Sequence, residues 1–231
     1  IVFMKKWIFL LSVVSLLFVS CANSQPEIRE LDSFHHVRMN GRRTRTHVVL
    51  TQTRDVYQVG ITGVHKDSIV MKVRNDTLII NMPRDRKSRY DISIHTPELR
   101  SFDGVLLKEL VSADTLRQDS IAFYYTDAEK TDLKLQVNKL AFYHLTKGKV
   151  LLSGQCDTAY IDAEYGYKLT LQAKTLKTKD LHLYAGDSKF EFNVTDHLWI
   201  HKAWLSKINY VGEPQIIECN MKWSKISNVL W

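Results

Sequence analysis

From Val150 to Tyr210 the chain repeats itself at close to nineteen residues, and that period restricts its fold more than any other feature. Val150 and Leu152 recur as Leu169 and Leu171, then as Phe190 and Phe192, then as Ile208 and Tyr210, in steps of 19, 21 and 18 residues. A second series runs through Ile161 and Ala163, Leu181 and Leu183, and Leu198 and Ile200. Each unit therefore holds two short strands in which apolar and polar residues alternate, so that every second side chain points to the same face. Turns such as Tyr165-Gly166-Tyr167 and Ala185-Gly186-Asp187 are expected to separate the strands. One unit is too small to bury its own apolar face, whereas several stacked units bury a continuous core. The period predicts an all-β solenoid of about 19 residues per coil. The rival is an antiparallel sandwich, whose strands also recur at about 8–12 residues.

The same alternation appears earlier, in Val70-Met71-Lys72-Val73, in Leu78-Ile79-Ile80-Asn81-Met82 and in Asp91-Ile92-Ser93-Ile94-His95. Beyond the first twenty residues no stretch carries a helical apolar stripe. The part before about Pro97 lacks the clean period, and irregular coils or a capping sheet are expected there.

Residues 1–20 have a different character. Lys5 and Lys6 precede Trp7 to Val19, a run interrupted only by Ser12 and Ser15. That run is shorter than the ~20 residues of a membrane span and suits the apolar region of an export signal. Phe18-Val19-Ser20-Cys21 has the form of a lipobox, in which the thiol takes a diacylglycerol before cleavage exposes the cysteine amine. The expectation is a lipoprotein signal over 1–20, a lipid on Cys21 as the link to the membrane, and a polar tether over 21–31. An ordinary signal peptide with an incidental cysteine is the alternative. Export places the protein in the cell envelope, as an outer-membrane lipoprotein whose exposed side is not legible.

Without residues 1–20 the chain keeps 30 cationic residues against 25 acids, a net charge of about +5 that is spread along its length. The one cluster, Arg42-Arg43-Thr44-Arg45, suits a solvated loop or contact with an acidic glycan. No nucleic-acid module is present, and no nucleic-acid partner is expected.

Catalytic chemistry finds little support. Asp162, Glu164 and Glu191 are carboxylates of the type glycosidases use in pairs, but lysines flank them and surface ion pairs explain them as well. There is no nucleophile elbow, phosphate loop or zinc-protease motif. His182, His197 and His201 are close in sequence, but ~13 Å of strand separates His197 from His201, too far to share an ion. No catalytic residue, metal or cofactor is expected. If Leu181, Leu183, Leu198 and Ile200 face inward, Tyr184 and Trp199 face outward, with Tyr167 and Trp204 near them. These four aromatic residues are the candidate ligand-binding group, for a glycan or for an envelope protein.

Several segments also resemble a known family. Phe34-His35-His36-Val37-Arg38-Met39-Asn40-Gly41 is similar to the opening strand and glycine of the auto-transporter adhesin family known by its head-GIN domain. Asp76-Thr77-Leu78-Ile79-Ile80 follows, and then Ile92-Ser93-Ile94-His95-Thr96-Pro97-Glu98-Leu99, which is like the family's step into its repeats. Ile208-Asn209-Tyr210-Val211-Gly212-Glu213-Pro214 resembles its closing motif. The resemblance spans 32–214 and implies a right-handed parallel β-helix-like stack in a non-catalytic, adhesin-like envelope lipoprotein. It brings no ligand site or catalytic residue with it. Residues 215–231 are then a final strand or an extra coil. Cys156 and Cys219 lie 63 positions apart, a little over three coils. Coils spaced ~4.8 Å apart hold them beyond disulfide reach, so both are expected to be unpaired.

Overall fold

The computed structural model describes residues 26–41, 45–83, 88–104, 106–124 and 128–229. The export signal, Cys21 and Arg42-Arg43-Thr44 lie outside the described residues. What is described is all-β, a single curled, half-barrel sheet of sixteen strands with one short 3-10 turn. In chain order the strands are β1 (Glu27–Glu30), β2 (His36–Asn40), β3 (Arg45–Gln52), β4 (Gln58–Gly63), β5 (Val70–Arg74), β6 (Thr77–Asn81), β7 (Arg89–Thr96), β8 (Ser101–Gly104), β9 (Leu107–Ser112) and β10 (Leu116–Tyr124). They continue as β11 (Ala128–Tyr143), β12 (Gly148–Trp204), β13 (Lys207–Val211), β14 (Gln215–Glu218), β15 (Met221–Lys222) and β16 (Lys225–Asn228).

Pairing from β8 onward is parallel and steps by the sequence period. Leu116 pairs with Leu135, Lys130 with Lys149, and Lys189 with Lys207. An antiparallel sandwich is thereby excluded for this half. Two lines of pairing matter below. The first joins β9, the start of β11, β12, β13 and β16; the second joins β8, the ends of β10 and β11, β12 and β14.

Every apolar residue of the two predicted series is buried, from Val150 to Tyr210 and from Ile161 to Ile200. Ahead of them Phe102, Phe123 and Phe142 stack inward in register, Phe123 and Phe142 with centroids 4.7 Å apart. Burying each ring contributes roughly 1.5–3 kcal/mol.

Three features were not foreseen in the sequence. The 57 residues of β12 keep their sheet pairing through both positions where turns were expected, although the backbone bends within them, at positive φ at Gly154 and Lys168. A Cβ on Gly186 would meet the backbone of Glu164 and Gly166, so the two glycines pack against one another and the chain rounds the corner without leaving the sheet. The first strands are also out of chain order: β2 lies between β6 and β8, and β3 between β7 and β9. Finally, antiparallel strands close the amino-terminal end, with β5 on β6, β4 on β7, and β1, within the stretch expected to be tether, on β4. Such pairing covers an edge that would otherwise invite another chain.

Cys156 and Cys219 are both free. Burial pushes the Cys156 thiol up to about 12, which leaves it protonated and unreactive. Among the described residues no helix is long and apolar enough to cross a membrane.

Candidate functional site

Because Leu181, Leu183, Leu198 and Ile200 point into the core, the residues between them must point out, and Tyr184 and Trp199 do so, half-buried. They belong to a longer series on the second line of pairing. Tyr124 and Tyr143 are register partners with rings stacked at 4.9 Å and 11°. Tyr143 approaches Tyr160 at 5.3 Å, and Tyr160 approaches Tyr184 at 5.6 Å, both tilted by more than 35°. Tyr184 stacks on His201 at 4.8 Å, His201 on His182 at 5.3 Å, and His182 on Trp199 at 5.8 Å. His197 adjoins Trp199 at 6.2 Å. Parallel, in-register pairing brings Tyr124 and Tyr143 within ring-stacking distance, and diagonal contacts between neighbouring strand positions, Tyr160 being the register partner of Ala141, extend the series into a ladder.

Polar contacts fix the ladder along its length. The His182 and His201 rings meet Nδ1 to Nε2 at 3.0 Å, and the His197 Nδ1 lies 2.7 Å from the Asp180 carboxylate. Burial, with help from Tyr184 and Asp162, pushes the Tyr160 hydroxyl up to about 12, so it stays neutral. Beside the ladder Asp162 faces His144 at 3.7 Å, and Glu164 is ion-paired to Lys202. At its Tyr124 end the ladder opens into a groove of ≈ 330 Å³ lined by His36, Arg38, Thr77, Ser101 and Asp103. Arg38 reaches Asp103 at 3.4 Å, and His36 meets the Ser101 hydroxyl at 2.7 Å.

The other two sequence candidates stand apart. Among the described residues no ring contact joins Tyr167 or Trp204 to the ladder. Tyr167 lies exposed beneath the Lys168 ammonium, and Trp204 closes β12 opposite Lys222. Tyr124, Tyr143 and Tyr160 were missed, although the sequence held a signal: Phe123-Tyr124 and Phe142-Tyr143 are the same dipeptide one period apart. The carboxylates do not converge. Glu191 binds Lys174 and Gln172 on the strands that carry Phe190, away from Asp162 and Glu164. Among the described residues no three His, Cys, Asp or Glu side chains are placed to hold a metal ion.

The histidine pair has a pH signature. Burial first, and then the neighbouring His201, hold His182 below the ordinary histidine value. The unfolded chain therefore binds a proton before the folded one does, and stability falls as pH drops from 6.5 toward the lowered value. The urea midpoint is expected to decrease between pH 7.5 and about 5.5. His182→Gln flattens that segment of the curve; an unchanged slope in this variant refutes the assignment.

The family model described as "putative auto-transporter adhesin, head GIN domain" matches residues 33–214. No curated protein matches the chain. Among solved structures, a putative adhesin from Bacteroides fragilis NCTC 9343 is similar at 17% identity and TM-score 0.68, covering 87% of this chain and 94% of that one. A putative lipid binding protein from Parabacteroides distasonis ATCC 8503 is similar at 16% identity and TM-score 0.61, covering 90% and 98%. A putative adhesin from Parabacteroides merdae ATCC 43184 follows at 13% identity and TM-score 0.57, again covering 90% and 98%. At these identities the likeness is one of fold.

Proposed function

The chain belongs to the putative auto-transporter adhesin, head GIN domain family, and on that premise we propose that it is a non-catalytic envelope module that binds a glycan along its aromatic ladder. The observation that carries this reading is the continuity of the rings from Tyr124 to Trp199. Stacked rings present their edges and polar tips outward, so the ladder is a comb of apolar edges alternating with hydroxyl, imidazole and indole groups. A sugar chain offers the complementary pattern of C–H faces and hydroxyls. Tyr124 differs from the rest: it is 37% exposed, one face rests on Tyr143, and it lines the polar groove with Arg38 and Asp103. A sugar packed on that ring has hydrogen-bonding groups at its rim, the arrangement typical of a ligand site.

The same reading takes the repeat as a right-handed parallel β-helix-like solenoid of about 19 residues per coil. The parallel register in steps of 18, 19 and 21 residues supports it. It also takes Cys21 as the lipid-bearing residue of an outer-membrane lipoprotein, on the strength of the Phe18-Val19-Ser20-Cys21 motif. Release of Cys21→Ala from the membrane fraction is the corresponding check.

A glycan array probed with the purified protein tests the binding reading. Tyr124→Ala and Tyr184→Ala should each weaken the strongest glycan at least about tenfold, as truncating a central aromatic contact does. Retention of full binding by both variants, or an empty array together with specific capture of an envelope protein, overturns the glycan assignment.

A further inference from the structure

A second repeated side chain runs along the first line of pairing. Lys130 pairs with Lys149, Lys189 with Lys207, and Lys207 with Lys225. Lys168 follows Lys149 by the same 19 positions that separate Lys149 from Lys130, and it lines one open groove with Lys189 and Lys207. Six coils thus put an ammonium group at one register position. With strands ~4.8 Å apart, they form a straight row about 24 Å long.

Like charges directly opposite one another destabilise a sheet, and several lysines outside the row are offset by carboxylates. Lys108 and Lys179 each face a carboxylate about one repeat away, those of Glu129 and Asp157, and Lys202 faces that of Glu164 two repeats away. In the row only Lys130 is treated so, by Glu109 at 2.8 Å and Asp132 at 3.7 Å, while Lys168 lies over the Tyr167 ring with Asp187 nearby. Lys149, Lys189, Lys207 and Lys225 are exposed and, among the described residues, form no ion pair. Uncompensated charge at one fixed position of successive coils is not how a merely solvated surface is arranged; it matches an anion that repeats along the stack.

We propose that the lysine row is a binding site for a linear acidic polysaccharide, with one carboxylate or sulfate group set against each coil. The geometry favours a polymer over a bilayer, because the charges lie on a line and not over a plane. Of the side chains two positions further along the same strands, Thr170 and Asn209 add a hydroxyl and an amide to the same outward side, while the carboxylates of Asp132 and Glu191 are already bound by Lys130 and Lys174. This site is on the first line of pairing and the aromatic ladder is on the second, so the two assignments stand or fall separately.

The test uses the purified full-length protein over immobilised polygalacturonate, heparin, neutral dextran and a phosphatidylglycerol bilayer. Binding is expected to at least one of the two acidic polymers and not to dextran, and to fall steeply between 50 and 200 mM salt, as counterion release requires. Lys189→Gln/Lys207→Gln/Lys225→Gln should lose at least about tenfold in affinity while melting no lower than the parent, since like-charge repulsion is relieved. Lys108→Gln/Lys179→Gln/Lys202→Gln removes the same net charge and should bind the polymer as before. The proposal is overturned by equal losses in the two triple variants, by absence of binding to both acidic polymers, or by row-dependent binding to the bilayer alone.

Discussion

Phe192→Asp is expected to abolish soluble, folded protein, whereas Glu191→Lys, one residue away, is expected to be tolerated. Phe192 is 3% exposed, is the register partner of Tyr210, and packs on Phe190 at 5.8 Å. Removing the ring leaves a cavity, and deleting a buried aromatic costs about 3–5 kcal/mol by itself. The carboxylate adds an unpaired buried charge with no water or cation to meet it. Together these approach or exceed the ~5–15 kcal/mol that separates a folded domain from its unfolded state. Glu191 points outward and contacts Lys174 at 3.2 Å and Gln172 at 3.1 Å; replacing a partly exposed pair of this kind changes stability by no more than about 1 kcal/mol. Soluble yield, the far-ultraviolet β signal and the urea midpoint distinguish the two variants. Equal tolerance of both changes would remove the inward assignment of Phe192 and, with it, the outward assignment of the aromatic ladder.

The contrast between neighbours also explains which parts of the structure were legible in the sequence. Inward residues had to be apolar at every step, so the two series from Val150 and from Ile161 fixed which side of each strand faces the core. Tyr184 and Trp199 were then located by exclusion. The outward face carries no such requirement, and Tyr124, Tyr143 and Tyr160 were overlooked because each looks like an isolated tyrosine until the register joins them. The amino-terminal strands were illegible for a different reason. Pairing β2 with both β6 and β8 brings together residues some 41 and 65 positions apart, and a short-range period cannot report a crossover of that kind. The uninterrupted β12 was hidden by its glycines. Gly166 and Gly186 ordinarily signal turns, and here they let paired strands approach closely while the chain rounds a corner without leaving the sheet.

Glycine has a stricter role at Gly154, and Gly154→Ala is expected to cost at least about 2 kcal/mol although it adds only one methyl group. Gly154 is the register partner of Leu135, at φ +112°, and a Cβ built there would overlap the Leu135 carbonyl oxygen on the paired strand β11. Gly212 repeats the arrangement against Val194, at φ +99°. Two separate penalties therefore coincide: a backbone conformation that L residues rarely adopt, and a collision with main chain that cannot rotate away. Relieving the collision means widening the gap between paired strands and losing their hydrogen bonds. The corners at Lys168, Leu205 and Trp223 also have positive φ, but at 56°, 52° and 51° they fall in the left-handed helical well, which L residues occupy at about 1–2 kcal/mol. Leu205→Gly should consequently leave the urea midpoint nearly unchanged, its lost side-chain contact offset by relief of that strain. Gly154→Ala should lower the midpoint and unfold in a single transition with the rest of the core. Parent-like stability of Gly154→Ala would mean that the coils are not held at the close spacing on which both the aromatic ladder and the lysine row depend.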